Sequence, residues 1–208
     1  MITLHDYNLS AEGYAVRLFL ALLGQDYSLV PVEYYPAREH EGEAFRALNP
    51  LASLPVLVEG DLVLTEVAGI LTYLAARHGG ADWYPAGDAA QWGRIGDGLA
   101  LAARLAASAG AVRLADGMML PLDGAAARAE AKRLLRVIDE RLWFGEMAGD
   151  DWLCPGPRPS IADIACFPHI VLAEEGDIPL IDYPAIRRWL DRVRRLPGFV
   201  VMPGVFGA

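Results

Sequence analysis

Residues 49–57 read N-P-L-A-S-L-P-V-L and lead, through Glu59-Gly60-Asp61, to Leu64-Thr65-Glu66-Val67. Pro55 opens the apolar run Val56-Leu57-Val58, and proline is tolerated at a strand's first residue or on an edge. A tight Leu54–Pro55 junction is also where a cis bond can be kept. Such a bond would turn the main chain of Leu54 outward, leaving its N–H and C=O to pair with an extended peptide. The chemistry to expect is capture of something peptide-like by its backbone. Elsewhere reactive side chains are sparse. Cys154 and Cys166 are too few for a disulfide framework and are not spaced as C-x-x-C. Cys166 and His169 stand at i, i+3 without further metal-ligand spacing, so a core role and no metal are expected. Arg187, Arg188, Arg192, Arg194 and Arg195 crowd the last helical stretch and read as a solvated face.

Two kinds of sequence must position these residues. Within the first 78 residues the periods alternate. Residues 2–7 form a strand; Val16, Phe19, Leu20 and Leu23 mark a helix stopped by Gly24; residues 27–32 form a second strand, and residues 41–48 a short polar helix. A hairpin centred on Gly60-Asp61 follows, suited to a two-residue turn whose first residue has positive φ. Val67, Ile70, Leu71 and Leu74 then mark another helix. The order β-α-β-α-β-β-α is a small α/β unit. Residues 79–88, rich in Gly, Pro and Asp, read as a linker, and residues 89–208 are helical in pattern. The stretch 89–116 contains Gly93, Gly96, Gly98 and Gly110, which favour a bend. Ala131, Leu134, Leu135, Ile138 and Leu142 define a further helix, and Ile186, Trp189, Leu190 and Val193 the last, bracketed by Pro184 and Pro197-Gly198. Ser160-Ile161-Ala162-Asp163 has the form of a capping box and opens an apolar helix that contains Pro168.

The chain has 208 residues, 54% of them hydrophobic, and a formal charge of −9. That is enough for a substantial core. Its sign excludes nucleic acid and anionic membrane surfaces as partners, because a phosphate binder needs a basic footprint. Apolar runs are interrupted before the roughly 18 uncharged residues of a spanning helix, and the first residues lack the basic start of a signal peptide. The expectation is a soluble, cytoplasmic protein.

Taken together, N-P-L-A-S-L-P-V-L, the Thr65-Glu66 helix start, the S-I-A-D box and Ser10 seven residues before Arg17 in S-A-E-G-Y-A-V-R-L resemble the glutathione transferase superfamily, in its serine-type branch. The resemblance runs from the first strand to Pro197-Gly198-Phe199. It implies a thioredoxin-like N-terminal domain (1–78), the linker, an all-helical C-terminal domain (89–208), and a homodimer. It implies glutathione as co-substrate, bound as thiolate and added to a small hydrophobic electrophile lodged between the domains. In that frame Ser10 is the thiolate-binding hydroxyl, with a plain N-cap as its other reading; Tyr7 is the alternative, with a core aromatic as its other reading. Leu54, held by Pro55, pairs with the cysteinyl unit and Glu66 lies near the γ-glutamyl group. His40 meets the glycine carboxylate or is an exposed loop histidine. Arg17 makes a structural ion pair. Arg94, Asp97, Leu101 and Arg104 are candidates to line the electrophile pocket. Val67 stands where the family usually has Ser or Thr, and Ser53 where Gln or Lys is commoner. Each missing hydrogen bond to a charged group is worth about 1.5–3 kcal/mol. These departures set a second expectation beside the enzyme, a non-catalytic interaction module of the same fold.

Overall fold

The strands β1 (Ile2–Asp6), β2 (Tyr27–Pro31), β3 (Val56–Glu59) and β4 (Leu62–Leu64) form one sheet in the order β2-β1-β3-β4. In this computed structural model residues 1–79, 82–85, 87–117, 119–120 and 124–202 are described. β1 runs parallel to β2, with Leu4 opposite Leu29, and antiparallel to β3, with Leu4 opposite Leu57. The β3–β4 hairpin turns at Gly60, whose φ of 60° falls in the left-handed region that glycine reaches without a Cβ penalty.

The sheet has helices on both faces, and the period of two sorts its side chains between them. Ile2, Leu4 and Leu57 face α1 (Ala11–Leu22) and α3 (Val67–Leu74) in the main core. Val56 and the side chain of Leu54 join Val32 and Phe45 of α2 (Glu43–Leu48) in a smaller cluster on the other face. α1 ends as its sequence predicts, with Gly24 at φ 63° and its N–H bonded to the carbonyl of Ala21. The mixed sheet and flanking helices are the thioredoxin-like domain that the sequence resemblance implies.

The remainder is helical. α4 (Ala89–Leu105) is capped by Asp88, whose carboxylate accepts from Gln91 N–H at 3.0 Å. It continues into wide π-type turns at Ala106–Gly110 and Arg113–Gly117. α5 (Gly124–Ala148) buries the five apolar residues named above, and α7 (Pro184–Arg194) starts with proline at its first position. α6 (Ile161–Val171) is buried at every position and forms the spine of this half. Its capping box closes through Asp163, whose carboxylate also accepts from Leu153 N–H and Trp189 Nε1–H, both at 2.9 Å. α4 approaches α6 closely because Gly98 has no Cβ; one there would stand 2.5 Å from that of Ala162. By length and mean hydropathy (1.3 in its most apolar window) residues Ala89–Asp116 would suffice to cross a membrane. The sequence expectation that no run qualifies is thus too strict. Ile95, Gly98, Ala102 and Leu105 of this run are buried in protein, and Arg94, Asp97, Arg104 and Arg113 interrupt it.

One core joins the halves, running from Ile2 through α1 to α6 and Trp189. The chain then returns to its start. The Tyr14 hydroxyl donates to the Val200 carbonyl at 2.7 Å, and Gly198 lies against the last turn of α1, where a Cβ would come within 2.9 Å of the Ala21 carbonyl.

Candidate functional site

A cleft of about 240 Å³ opens where the loop after β1 meets the helical half. The N-terminal side contributes Tyr7, Leu9, Ser10, Glu12, Tyr34, Ser53 and Leu54; the helical side contributes Ala106, Gly110, Arg113, Leu114 and His169.

Ser10 is the N-cap of α1: its Oγ accepts from Gly13 N–H at 2.9 Å. A hydroxyl has two lone pairs and one proton. The cap uses a lone pair and leaves the proton to donate into the cleft, so the two expectations for Ser10 are compatible. The loop carrying it is held from beneath. Asp6 and Arg17 form the expected ion pair, and Arg17 also donates to the Asn8 carbonyl at 3.0 Å. Asp6 is 1% exposed. Burial pushes its pKa up to about 6, against the pull of Arg17. Its carboxylate lies against the Cα of Gly13, so no side chain fits at that position.

Leu54 presents its backbone to the cleft. The Leu54–Pro55 bond is cis, and among the described residues no hydrogen bond reaches the Leu54 N–H or C=O. Asn49, itself buried, fixes the preceding loop by donating to the Ser53 carbonyl at 2.8 Å and to Ser53 Oγ at 3.0 Å. Glu66 is the N-cap of α3, and the first internal bond of that helix is Ile70 N–H to the Glu66 carbonyl. The N–H groups of Val67, Ala68 and Gly69 are therefore free of helical partners, the usual anion-receptive end of a helix. The Glu66 carboxylate is close enough to Glu12 to raise its pKa, an effect second to burial of the Glu12 carboxyl. Pro55, Glu66 and Val67 stand outside the lining of the cleft itself.

Tyr7 both lines the cleft and packs, its ring 5.9 Å from that of Tyr34. His40 is corrected only in its reading as an exposed loop histidine. It is 6% exposed, not in an open loop, and it stacks on Tyr34 at 4.2 Å outside the cleft lining. Sheltering behind that ring lowers its pKa, so it is a neutral support for Tyr34. The helical wall is corrected as well. Arg94 leans on Gln91, Arg104 pairs with Glu130 at 2.7 Å, and neither they nor Asp97 and Leu101 line the cleft. The wall lies further along the same run, in the wide turns.

Arg113 was not anticipated. It is 5% exposed, its Nε donates to Glu175 at 2.5 Å, and its Nη1 donates to the Leu9 carbonyl at 2.8 Å, next to Ser10. The available signal is an arginine past Gly110, the third in an Ala/Gly/Leu-rich run after Arg94 and Arg104. His169, expected in the core, is buried but lines the cleft; burial and then Arg113 push its pKa down to about 4. The arrangement offers a hydroxyl donor and a guanidinium beside an unpaired peptide edge, a setting that favours a bound anion.

Residues 4–82 match the family model "Glutathione S-transferase, N-terminal domain", and residues 81–192 match "Glutathione S-transferase, C-terminal domain". The chain is 32% identical over 215 residues to a maleylacetoacetate isomerase of Pseudomonas aeruginosa, covering 94% of this chain and 92% of that protein. It is 32% identical over 190 residues to the maleylacetoacetate isomerase of Rhizobium meliloti, covering 88% and 86%. A solved glutathione S-transferase from Xanthobacter autotrophicus superposes with a TM-score of 0.82 at 27% identity, covering 98% of each chain.

Proposed function

The chain belongs to the glutathione S-transferase family, and from that premise we propose that it binds glutathione along Leu54, ionises the thiol beside Ser10, and adds it to a small hydrophobic electrophile. The favoured reaction is reversible addition to an activated cis double bond. The observation that carries this is the Ser10 hydroxyl, capped to α1 with its proton free, in one cleft with the unpaired Leu54 backbone.

A thiol has an unperturbed pKa of about 8.5, and only the thiolate is a good nucleophile. Each unit of lowering requires about 1.4 kcal/mol of preference for the anion. The Ser10 hydroxyl, the N-terminus of α1 and the Arg113 guanidinium at Leu9 are three such sources. The cysteinyl backbone pairs with Leu54, and the γ-glutamyl end lies by Glu66 and the first turn of α3. There Val67 offers an N–H in place of a hydroxyl, which predicts weak affinity. The reading includes a homodimer, which light scattering tests.

The names of the two relatives support isomerisation. A maleyl group is a cis double bond between carbonyl carbons. Thiolate addition forms a C–S bond and moves the π pair onto a carbonyl oxygen as an enolate. The former double bond then rotates as a single bond, and collapse of the enolate expels the thiolate and leaves the trans isomer. No atom is gained or lost. Calorimetric titration with glutathione tests the reading: saturable binding, weakened by Glu66→Ala, is expected. Absence of heat up to millimolar glutathione refutes it and leaves the non-catalytic module.

A further inference from the structure

His169 is the one basic residue of α6, a helix whose other side chains serve packing or the capping box. The residue is 6% exposed and lines the cleft. Nδ1 is sealed from solvent with no hydrogen-bond partner among the described residues. A buried polar group left unpaired costs about 1–3 kcal/mol, and an apolar side chain there would avoid that cost. The neighbouring residue makes room for the ring. A Cβ on Gly110 would stand 3.3 Å from Nδ1 and 3.8 Å from Cε1, tighter than ordinary contact at the nitrogen. Glycine there keeps the imidazole at the cleft surface, at the expense of a glycine inside a helical run. Arg113, tied to Glu175 and to the Leu9 carbonyl, places a fixed cation on the same wall.

We propose that His169 is a catalytic residue whose ring N–H, with the Arg113 guanidinium beside it, receives the carbonyl oxygen of the electrophile and stabilises the enolate formed when the thiolate adds. This rests on the thiolate-addition reading above. The tautomer with its proton on Nε2 leaves the sealed Nδ1 with only a lone pair, the cheaper orphan of the two. In the step a sulfur lone pair makes the C–S bond, the C=C π pair shifts towards the carbonyl, and the charge passes from sulfur to oxygen. His169 donates a hydrogen bond without surrendering its proton. Burial and Arg113 keep the imidazole neutral, so it serves as a fixed dipole and is not a proton store. A donor already in place where charge develops needs no reorganisation at the moment of reaction.

The test compares two electrophiles. With 4-phenylbut-3-en-2-one the charge passes to a carbonyl oxygen, until the α-carbon takes a proton from water to give the neutral adduct; with benzyl chloride it leaves as chloride and no oxygen takes part. His169→Leu is expected to lower kcat for the enone by roughly 100-fold, benzyl chloride conjugation by far less, and to leave the pKa of bound glutathione in place. His169→Gln, which keeps an N–H donor, should recover part of the loss. An equal fall with both electrophiles marks His169 as structural and overturns the proposal, as does an unchanged enone rate. A second measurement needs neither a variant nor glutathione. In wild-type protein labelled with ¹⁵N-histidine, the enone alone should shift the His169 Nε2 resonance, and no movement up to its solubility limit also overturns the proposal. A wild-type protein that fails to ionise glutathione defeats the earlier reading and leaves this resonance shift to decide the inference.

Discussion

Ser10→Ala removes two things at once, and their separate magnitudes make the experiment decisive. The Oγ cap on Gly13 N–H, at 2.9 Å, is worth about 1 kcal/mol of stability. For a chain of this length that shifts Tm by roughly 2–4 °C. The hydroxyl donor to the thiolate is a hydrogen bond to a charged group, worth about 1.5–3 kcal/mol, or about 1–2 units in the pKa of bound glutathione. Ser10→Gly separates the two, because glycine at an N-cap costs only a few tenths of a kcal/mol while the donor is equally absent. Both variants should raise the thiol pKa by the same 1–2 units, read from ultraviolet thiolate absorbance against pH, and only the alanine variant should melt earlier. If the titration curve stays in place in both variants while conjugation persists, Ser10 is only a cap and the thiolate rests on Tyr7 or backbone donors.

Three further outcomes follow from the packing. Arg113→Ala leaves Glu175 and the Leu9 carbonyl without their partner; breaking a buried pair costs about 3–5 kcal/mol, and the one-third exposure of Glu175 puts the loss, measured by urea denaturation, at the lower end. Gly13→Ala would stabilise an ordinary helix by about 1 kcal/mol, but here the new Cβ overlaps the Asp6 carboxylate, so a net loss of about 1–3 kcal/mol or more is expected and a stabilised variant would refute the packing. His169 has a folded pKa of about 4 against 6.5 for the free side chain, so as pH falls from 6.5 towards 4 the unfolded chain takes up a proton that the folded one refuses. Stability worth about 3 kcal/mol is lost across that window. His169→Gln lacks this slope, and parallel urea midpoints for the two proteins from pH 7 to 4 would contradict it.

The parts legible in the sequence are those written locally. Gly24 past a helix end, Gly60 in a hairpin and Ser160 with Asp163 around a first turn are each decided by a few adjacent residues, and each stands as read. The Arg17–Asp6 pair was legible as an ion pair, though not its partner. What failed depended on distance or on irregular turns. Arg94, Asp97, Leu101 and Arg104 are candidates only because they lie on the long helix, whose inward face its sequence alone does not give. The wide turns from Ala106 onward rotate the face, and the cleft is met at Gly110, Arg113 and Leu114 instead. His40 could not be placed because its neighbour Tyr34 lies across a loop whose path no local pattern encodes.

The Tyr14–Val200 bond and the close passage of Gly198 over Ala21 bear on how the protein matures. The helix that opens at Ser10 leaves the ribosome well before the segment that clasps it, since Tyr14 and Val200 stand 186 residues apart. Until residues 198–200 emerge, that helix lacks the cover they give to Tyr14 and Ala21. Removing the segment after Leu196 should therefore be felt far away in sequence, as faster amide exchange in the first helix.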